Sequence, residues 1–299
     1  MEQSTHIPVM LNEVMDYLDA KPGKTIVDAT IGMGGHSREI LARLGDTGRL
    51  IGIDRDEESL AVASQSLGGA LGRRDLVYAN FLELDAVLDN LHIPSIDGIV
   101  FDLGVSSFQL QDPQRGFSFC QDGPLDMRLD RNSYISAYDL VNNLNEEEIS
   151  QLLWSFGQER WHNRIARHMV EARQHHPIAT TEQLSHIVLD AIPRRYRRYH
   201  YRIHPATRTF QAIRIAVNRE LEVLENAVTK AIARLAPGGR MCVISFHSLE
   251  DRVVKLAFRA AAARSEIQIL TPKPLTPREA EVRDNPRSRS AKFRAAQKL

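Results

Sequence analysis

The chain has 299 residues, 43% of them hydrophobic and 25% charged, with 38 basic residues balancing 38 acidic ones. These values exclude wholesale disorder, a collagen-like repeat and a membrane-embedded chain. Two distant cysteines, Cys120 and Cys242, without C-x-x-C spacing, point to a reducing cytoplasm rather than a structural zinc site or disulfide framework.

The N-terminal MEQSTHIPVM lacks the basic patch and apolar stretch of a signal peptide. Short β-rich runs follow at Thr25–Thr30, Arg49–Asp54, Leu76–Ala79 and Asp97–Leu103, with helical patterns between them at about 36–44, 57–68 and 82–91. Strand–helix alternation of this kind predicts parallel strands joined by right-handed crossovers, hence a doubly wound α/β sheet. After a loop at 104–133 punctuated by glycine and proline, the pattern is helical as far as Pro193. A single long helix is expected over Ala206–Leu235, because Phe210, Ile213, Val217, Leu221, Leu224, Val228, Ile232 and Leu235 keep one apolar stripe. Pro237-Gly238-Gly239 follows, and Arg240–Phe246 reads as a buried strand that resumes the alternation. The organisation predicted is one α/β domain, 1–109 with 205–299, interrupted by a mainly helical insertion at 110–204.

The zero net charge conceals segregation. Residues 151–204 hold nine arginines, no lysine and four acids, and 271–299 hold eight basic residues against three acids. Segregated basic segments on a neutral chain point to an anionic partner.

The most informative stretch is Asp28-Ala-Thr-Ile-Gly32-Met-Gly34-Gly35-His36-Ser37, at the end of the first strand. Glycines there permit a tight turn, and the following helix N-terminus offers free N–H groups to a ligand. A dinucleotide fingerprint would place glycine or alanine at Ser37, and Asp28 inside the strand would repel a pyrophosphate. An acid there suits a cationic ligand such as S-adenosylmethionine. Asp54 ends the second strand where an acceptor can bond a ribose diol, which favours a nucleoside without choosing between NAD and S-adenosylmethionine. Phe81, after the third strand, is placed either against an adenine or in the core. Asp102 ends the fourth strand ahead of Leu103-Gly104-Val-Ser106-Ser107-Phe-Gln109. Three acids at successive strand ends are more than helix caps require.

These strings resemble a known family almost from end to end. His6-Ile-Pro-Val-Met-Leu-Asn-Glu13, the Asp28–Ser37 turn, Phe101-Asp-Leu-Gly-Val-Ser-Ser107, Arg115-Gly-Phe-Ser-Phe119, Asp122-Gly-Pro-Leu-Asp126-Met-Arg128, His204-Pro-Ala-Thr-Arg208-Thr-Phe-Gln211, Pro237-Gly-Gly, Ile244-Ser-Phe-His247-Ser-Leu-Glu250-Asp-Arg252 and Arg287-Ser-Arg-Ser-Ala291 carry the likeness. The chain resembles the bacterial 16S ribosomal RNA (cytosine-N4)-methyltransferases, the ribosomal RNA small subunit methyltransferase H family. The resemblance implies a class I, Rossmann-like S-adenosylmethionine methyltransferase fold and methylation of a decoding-region cytidine, with the assembled small subunit as favoured substrate. It implies cofactor contacts from Gly34, Gly35, His36, Asp54, Phe81, Asp102 and Gln109. Two departures are visible: family members usually read Gly-Glu-Glu-Arg where this chain has Gly157-Gln158-Glu159-Arg160, and the arginine–tyrosine run before His204 is denser than the family's.

The cytosine amine is a poor nucleophile, so an acceptor must hold its hydrogens while it attacks in line. Asp102, or a carbonyl of Leu103-Gly104, is the candidate catalytic acceptor, with Asp126 or Ser106 nearer the base if Asp102 serves the cofactor. Phe108, Phe117 or Phe119 are candidate stacking faces. Substrate contacts are expected from Arg115, Asp126, Arg128, Arg194, Arg195, Arg197, Arg198, Tyr199, His204, Arg208 and His247, since arginine pairs with phosphate and tyrosine stacks on unpaired bases. Lys292 and the tail arginines either add phosphate contacts or form a last edge strand. His162, His168, His175, His176 and His186 lack metal-ligand spacing, so no metal is expected. The competing readings are an NAD-dependent oxidoreductase and a non-catalytic RNA-binding ribosome-assembly factor.

Overall fold

The computed structural model describes residues 7–194, 196 and 204–299. The chain forms two compact units, Met1–Gly104 with Leu221–Leu299, and Val105–Glu220.

The first unit opens with helix α1 (Leu11–Leu18) and continues β1 (Thr25–Asp28), α2 (Gly35–Leu44), β2 (Arg49–Asp54), α3 (Glu57–Ser66), β3 (Arg73–Tyr78), α4 (Leu84–Asn90) and β4 (Ile96–Asp102). The second holds α5 (Ser107–Gln111), α6 (Ala137–Asn143), α7 (Glu146–Gly157), α8 (His162–Arg173), α9 (Thr181–Ala191) and α10 (Thr207–Asn218). Then come α11 (Glu220–Arg234), β5 (Leu235–Ser245), α12 (Ser248–Ala263), β6 (Ile267–Ile269), α13 (Glu279–Asp284) and β7 (Lys292–Lys298).

The strand order is β3-β2-β1-β4-β5-β7-β6. Pairs from β3 to β5 are parallel, while β7 runs antiparallel to both β5 and β6. This is a doubly wound, Rossmann-like α/β arrangement with one antiparallel strand inserted beside β5. Period-2 alternation feeds two cores. Val27, Ile51, Ile99, Phe101, Met241 and Val243 face α4, α11 and α12, whereas Ile26, Leu50, Val100, Cys242 and Ile244 face α1, α2 and α3. The basic tail supplies β7: Arg294 is buried and donates to Asp251 Oδ1 at 2.7 Å, with Lys292 3.5 Å from the same carboxylate. Those two cations are spent on the sheet.

Helices of the second unit start where the sequence supplies caps. Ser136 with Asp139, Asn145 with Glu148, and Thr180 with Gln183 form reciprocal capping boxes at α6, α7 and α9. Their inner faces share a third core that includes Val141, Leu153, Ile165, Met169, Leu184 and Phe210.

The expected single helix over Ala206–Leu235 is two helices. Arg219 takes φ 49° and ψ 38°, the left-handed region, and ends α10. Arg214 spans the break with two 3.0 Å bonds to Glu220. The continuous apolar stripe therefore serves two masters: Phe210 and Ile213 join the helical unit's core, while Leu224, Val228, Ile232 and Leu235 join the sheet's. The boundary expected after residue 204 accordingly falls after 220, and the one expected after 109 falls after 104.

Candidate active site

The turn after β1 is tied to the strands on either side. Ala29 N–H donates to Val100 O, and Ile31 N–H donates to Ile53 O. Gly32 and Gly34 have φ of 51° and 82°, a backbone that side chains rarely adopt. A Cβ at Gly35 would lie 2.7 Å from Pro8 Cγ, so the start of α2 has no room for one. No side chain caps α2, which leaves its first-turn N–H groups for a ligand.

Asp28 does something the sequence reading missed. Its carboxylate is 2% exposed, accepts from Ser37 Oγ at 2.7 Å and from Thr30 N at 3.3 Å. The acid and Ser37 thus lock the turn to the helix, which accounts for serine at the position where dinucleotide sites have glycine. Burial pushes Asp28 up to about 6 despite these two bonds.

Asp54 accepts from Gly32 N at 2.9 Å and from Asp56 N at 3.0 Å, so the end of β2 holds the glycine turn. One lone pair on each oxygen is left over for a diol. Burial pushes this acid, too, up to about 6. Phe81 starts a 3₁₀ turn capped by Asn80, packs edge-on against Phe101 at 5.7 Å and keeps part of its ring exposed.

Asp102 and His36 form a coupled pair. The Asp102 N–H donates to Thr30 Oγ1 at 2.6 Å. His36 is buried, with Nε2 2.9 Å from the Val9 carbonyl and Nδ1 3.7 Å from Asp102 Oδ2. A carbonyl only accepts, so Nε2 carries a hydrogen; a neutral ring would then turn the Nδ1 lone pair toward the carboxylate. Burial raises Asp102 to about 6, against the opposing pull of His36. Asp102 Oδ1 is buried and has no hydrogen-bond partner among the described residues. Such an oxygen is costly unless a donor arrives.

At the end of β5, His247 is the N-cap of α12. Its Nδ1 accepts from Glu250 N at 3.3 Å, while Glu250 Oε2 accepts from Phe246 N and Oε1 lies 3.3 Å from His247 Nε2. The ring expected to meet substrate is thus engaged in starting a helix.

Several expectations change in the helical unit. Arg115, expected to meet substrate, is 1% exposed and donates to the carbonyls of Arg128 and Leu129; its guanidinium lies 5.8 Å from the Phe117 ring. Arg128 donates to both oxygens of Asp126 and to the carbonyls of Arg131 and Ser133. These two line a cavity of about 310 Å³ with Leu125, Ser136, Tyr138 and Asp139. Gln109 is buried and its Oε1 accepts from Ser106 N, completing the α5 cap. Phe117 is buried, and Phe119 stacks on His204 at 4.4 Å and meets Phe210 edge-on, so neither offers a free stacking face. His204 Nδ1 accepts from Ala206 N, and burial holds the ring below the usual histidine range. Arg208 donates to the Gln158 carbonyl at 3.1 Å. Arg194 is exposed, while Arg195, Arg197, Arg198 and Tyr199 lie outside the described residues.

The family model of the MraW methylases matches residues 3–299. The chain belongs to the MraW methylase family. Its curated relatives include ribosomal RNA small subunit methyltransferase H from Halothermothrix orenii, 44% identical over 98% of both chains. The protein of that name from Geotalea uraniireducens is 47% identical over 100% of both. The one from Clostridioides difficile is 43% identical over 98% of this chain and 99% of its own. The donor set of this MraW methylase fits a cationic nucleoside cofactor. The strand-end acids, Asp28 buried and Asp54 and Asp102 half-buried, and the orphaned Asp102 oxygen call for positive charge and N–H or O–H donors, while the uncapped glycine-led helix start calls for a carboxylate.

Proposed function

We infer that this chain transfers a methyl group from S-adenosylmethionine to the exocyclic N4 amine of a cytidine in the decoding region of 16S ribosomal RNA. The full-length match to small-subunit methyltransferases supports the substrate, and the unpartnered oxygen of Asp102 is the single feature that carries the chemistry. When bound, S-adenosylmethionine supplies an electrophilic methyl group on its sulfonium.

The chain's own residues do the rest. The N–H groups of Gly35 and His36, next to the Gly34 turn, would hold the cofactor's carboxylate end, Asp54 its ribose and Phe81 one side of the adenine. Asp102 Oδ1 accepts a hydrogen of the amine, keeps the nitrogen lone pair in line and takes the proton that nitrogen releases as the C–N bond forms. For that, Asp102 must be ionised.

A cytosine in folded RNA reaches such a site only when splayed out, which costs a few kcal/mol of unstacking. A substantial RNA grip is therefore needed. We assign it to Arg194, Arg195, Arg197, Arg198, Tyr199 and Arg208, and the cytoplasmic, assembled small subunit is the substrate proposed.

The test is incubation with labelled S-adenosylmethionine and small subunits from cells lacking the activity, followed by mass spectrometry of the nucleosides. Label on a cytidine amine, lost in Asp102→Ala, is expected. Label on another atom overturns the target, and cofactor binding without any transfer turns the protein into an assembly factor.

A further inference from the structure

Among the described residues of the helical unit lies a cluster with no role in the function proposed above. Trp161, at the start of α8, and Tyr196 have ring centroids 5.3 Å apart at 54°. The Arg160 guanidinium carbon sits 5.4 Å from the Trp161 centroid and 5.6 Å from that of Tyr196, and Arg164 lies 6.0 Å from Trp161. Both arginines are exposed, whereas both rings are half-buried and pack on the helical unit's core.

The assembly is fixed in place. Glu159, fully buried, accepts from the Trp161 backbone N–H at 2.9 Å. Arg164 Nε donates to the Ala191 carbonyl at the end of α9, 2.9 Å away. Arg160 has no hydrogen bond or ion pair among the described residues. It is instead laid over two aromatic rings, which attract it through their quadrupoles. This arrangement presents a planar cation, already ordered on a rigid base, to solvent.

We propose that Arg160, Trp161, Arg164 and Tyr196 form a stacking platform for an unpaired base of the RNA substrate. The proposal rests on the RNA-methylating function inferred above and names a subsite for it. A base stacks on guanidinium and aromatic planes whatever its sequence, and the arginine N–H rims take the neighbouring phosphates. An acidic peptide would use the charge and leave the planes idle, so a nucleotide matches both features.

The chain has two tryptophans, Trp154 and Trp161, and Trp154 is 57% exposed. Trp154→Phe therefore leaves Trp161 as the sole indole reporter. That variant is titrated with hexacytidylate RNA, with heparin as a charge-only polyanion and with polyglutamate. Hexacytidylate should quench Trp161 emission and heparin should bind without quenching. Adding Arg160→Ala should weaken the RNA titration about fivefold or more, and Arg160→Lys should weaken it less, keeping charge but not the plane. In methylation assays on small subunits, Arg160→Ala should raise KM with kcat and cofactor affinity unchanged. Unquenched emission, an Arg160→Ala variant equal to its parent, or equal quenching by polyglutamate overturns the platform; the last would mark an acidic-protein contact. Failure of the wild-type protein to methylate any RNA would instead sink the function on which the proposal rests.

Discussion

The two units of this chain treat charge in opposite ways. The sheet's strand ends gather acids, Asp28 buried and Asp54 and Asp102 half-buried, and desolvation pushes each up to about 6. The helical unit instead keeps arginines in the open, with Arg160 and Arg164 laid over aromatic rings. One region waits for a small cation and the other for a polyanion. A buried acid is costly without its ligand and becomes selective through that cost; an exposed arginine is inexpensive and adaptable. The balanced composition conceals this division.

The comparison is broken most severely by Gly34→Asp. It adds a side chain where φ is 82° and a Cβ would meet Leu67 at 3.3 Å, and it places a negative charge at a ligand-facing helix start. Calorimetry should show S-adenosylmethionine affinity reduced by roughly a hundredfold or more, about 2.7 kcal/mol, with RNA affinity retained. Asp102→Asn comes next. Loss of a positioned proton acceptor typically costs about 10²–10⁴ in rate, so single-turnover transfer should fall by at least about a hundredfold while the variant still folds.

Arg115→Ala separates stability from RNA contact. It strands the buried Leu129 carbonyl and the part-buried Arg128 carbonyl, at about 1–3 kcal/mol each, so urea unfolding of the helical unit should shift by about 2–6 kcal/mol. If stability is unchanged and only RNA affinity falls, Arg115 belongs to the substrate surface after all.

The acids give a pH signature. Their folded pKa of about 6 lies above the ordinary 3.8, so the folded chain holds protons that the unfolded chain gives up between those values. Their burial therefore costs stability progressively as pH rises through that window and fully above it. A cationic ligand offsets the cost, and the rise in melting temperature produced by S-adenosylmethionine should grow several-fold from pH 5 to pH 7.5. The neutral-sulfur product, S-adenosylhomocysteine, should show a weaker trend. The smallest effect is expected for His247→Ala, about 1 kcal/mol from the lost α12 cap, restored in His247→Asn; a large loss of transfer at unchanged stability would reinstate a substrate role.

Much of the sheet was legible because its signals are local. Arg49–Asp54 alternates over one strand, and Pro237-Gly238-Gly239 lies just past the end of a helix. The glycine turn and the three strand-end acids were legible for the same reason. What escaped depends on contacts distant in sequence or on residues acting against type. Nothing local distinguishes a buried Arg115 from a phosphate-binding one. The Asp28–Ser37 bond needs the turn's three-dimensional path, and a left-handed Arg219 hides inside an unbroken apolar stripe because the stripe satisfies two cores in succession. The Arg160–Trp161–Arg164 spacing was the one signal of the platform available beforehand, two arginines one helical turn apart around a tryptophan.

The pairing of β4 with β5 has a kinetic consequence. Those neighbouring strands at the middle of the sheet are separated by about 130 residues of chain, nearly all of them in the helical unit. At about 5–20 residues per second on the ribosome, β4 waits on the order of ten seconds for its partner, long enough for a helical domain rich in local contacts to form first. During that interval the apolar edge of β4 is uncovered, so slowing translation through 105–220 should lengthen its exposure to aggregation and to chaperones, whereas speeding it should spare the sheet.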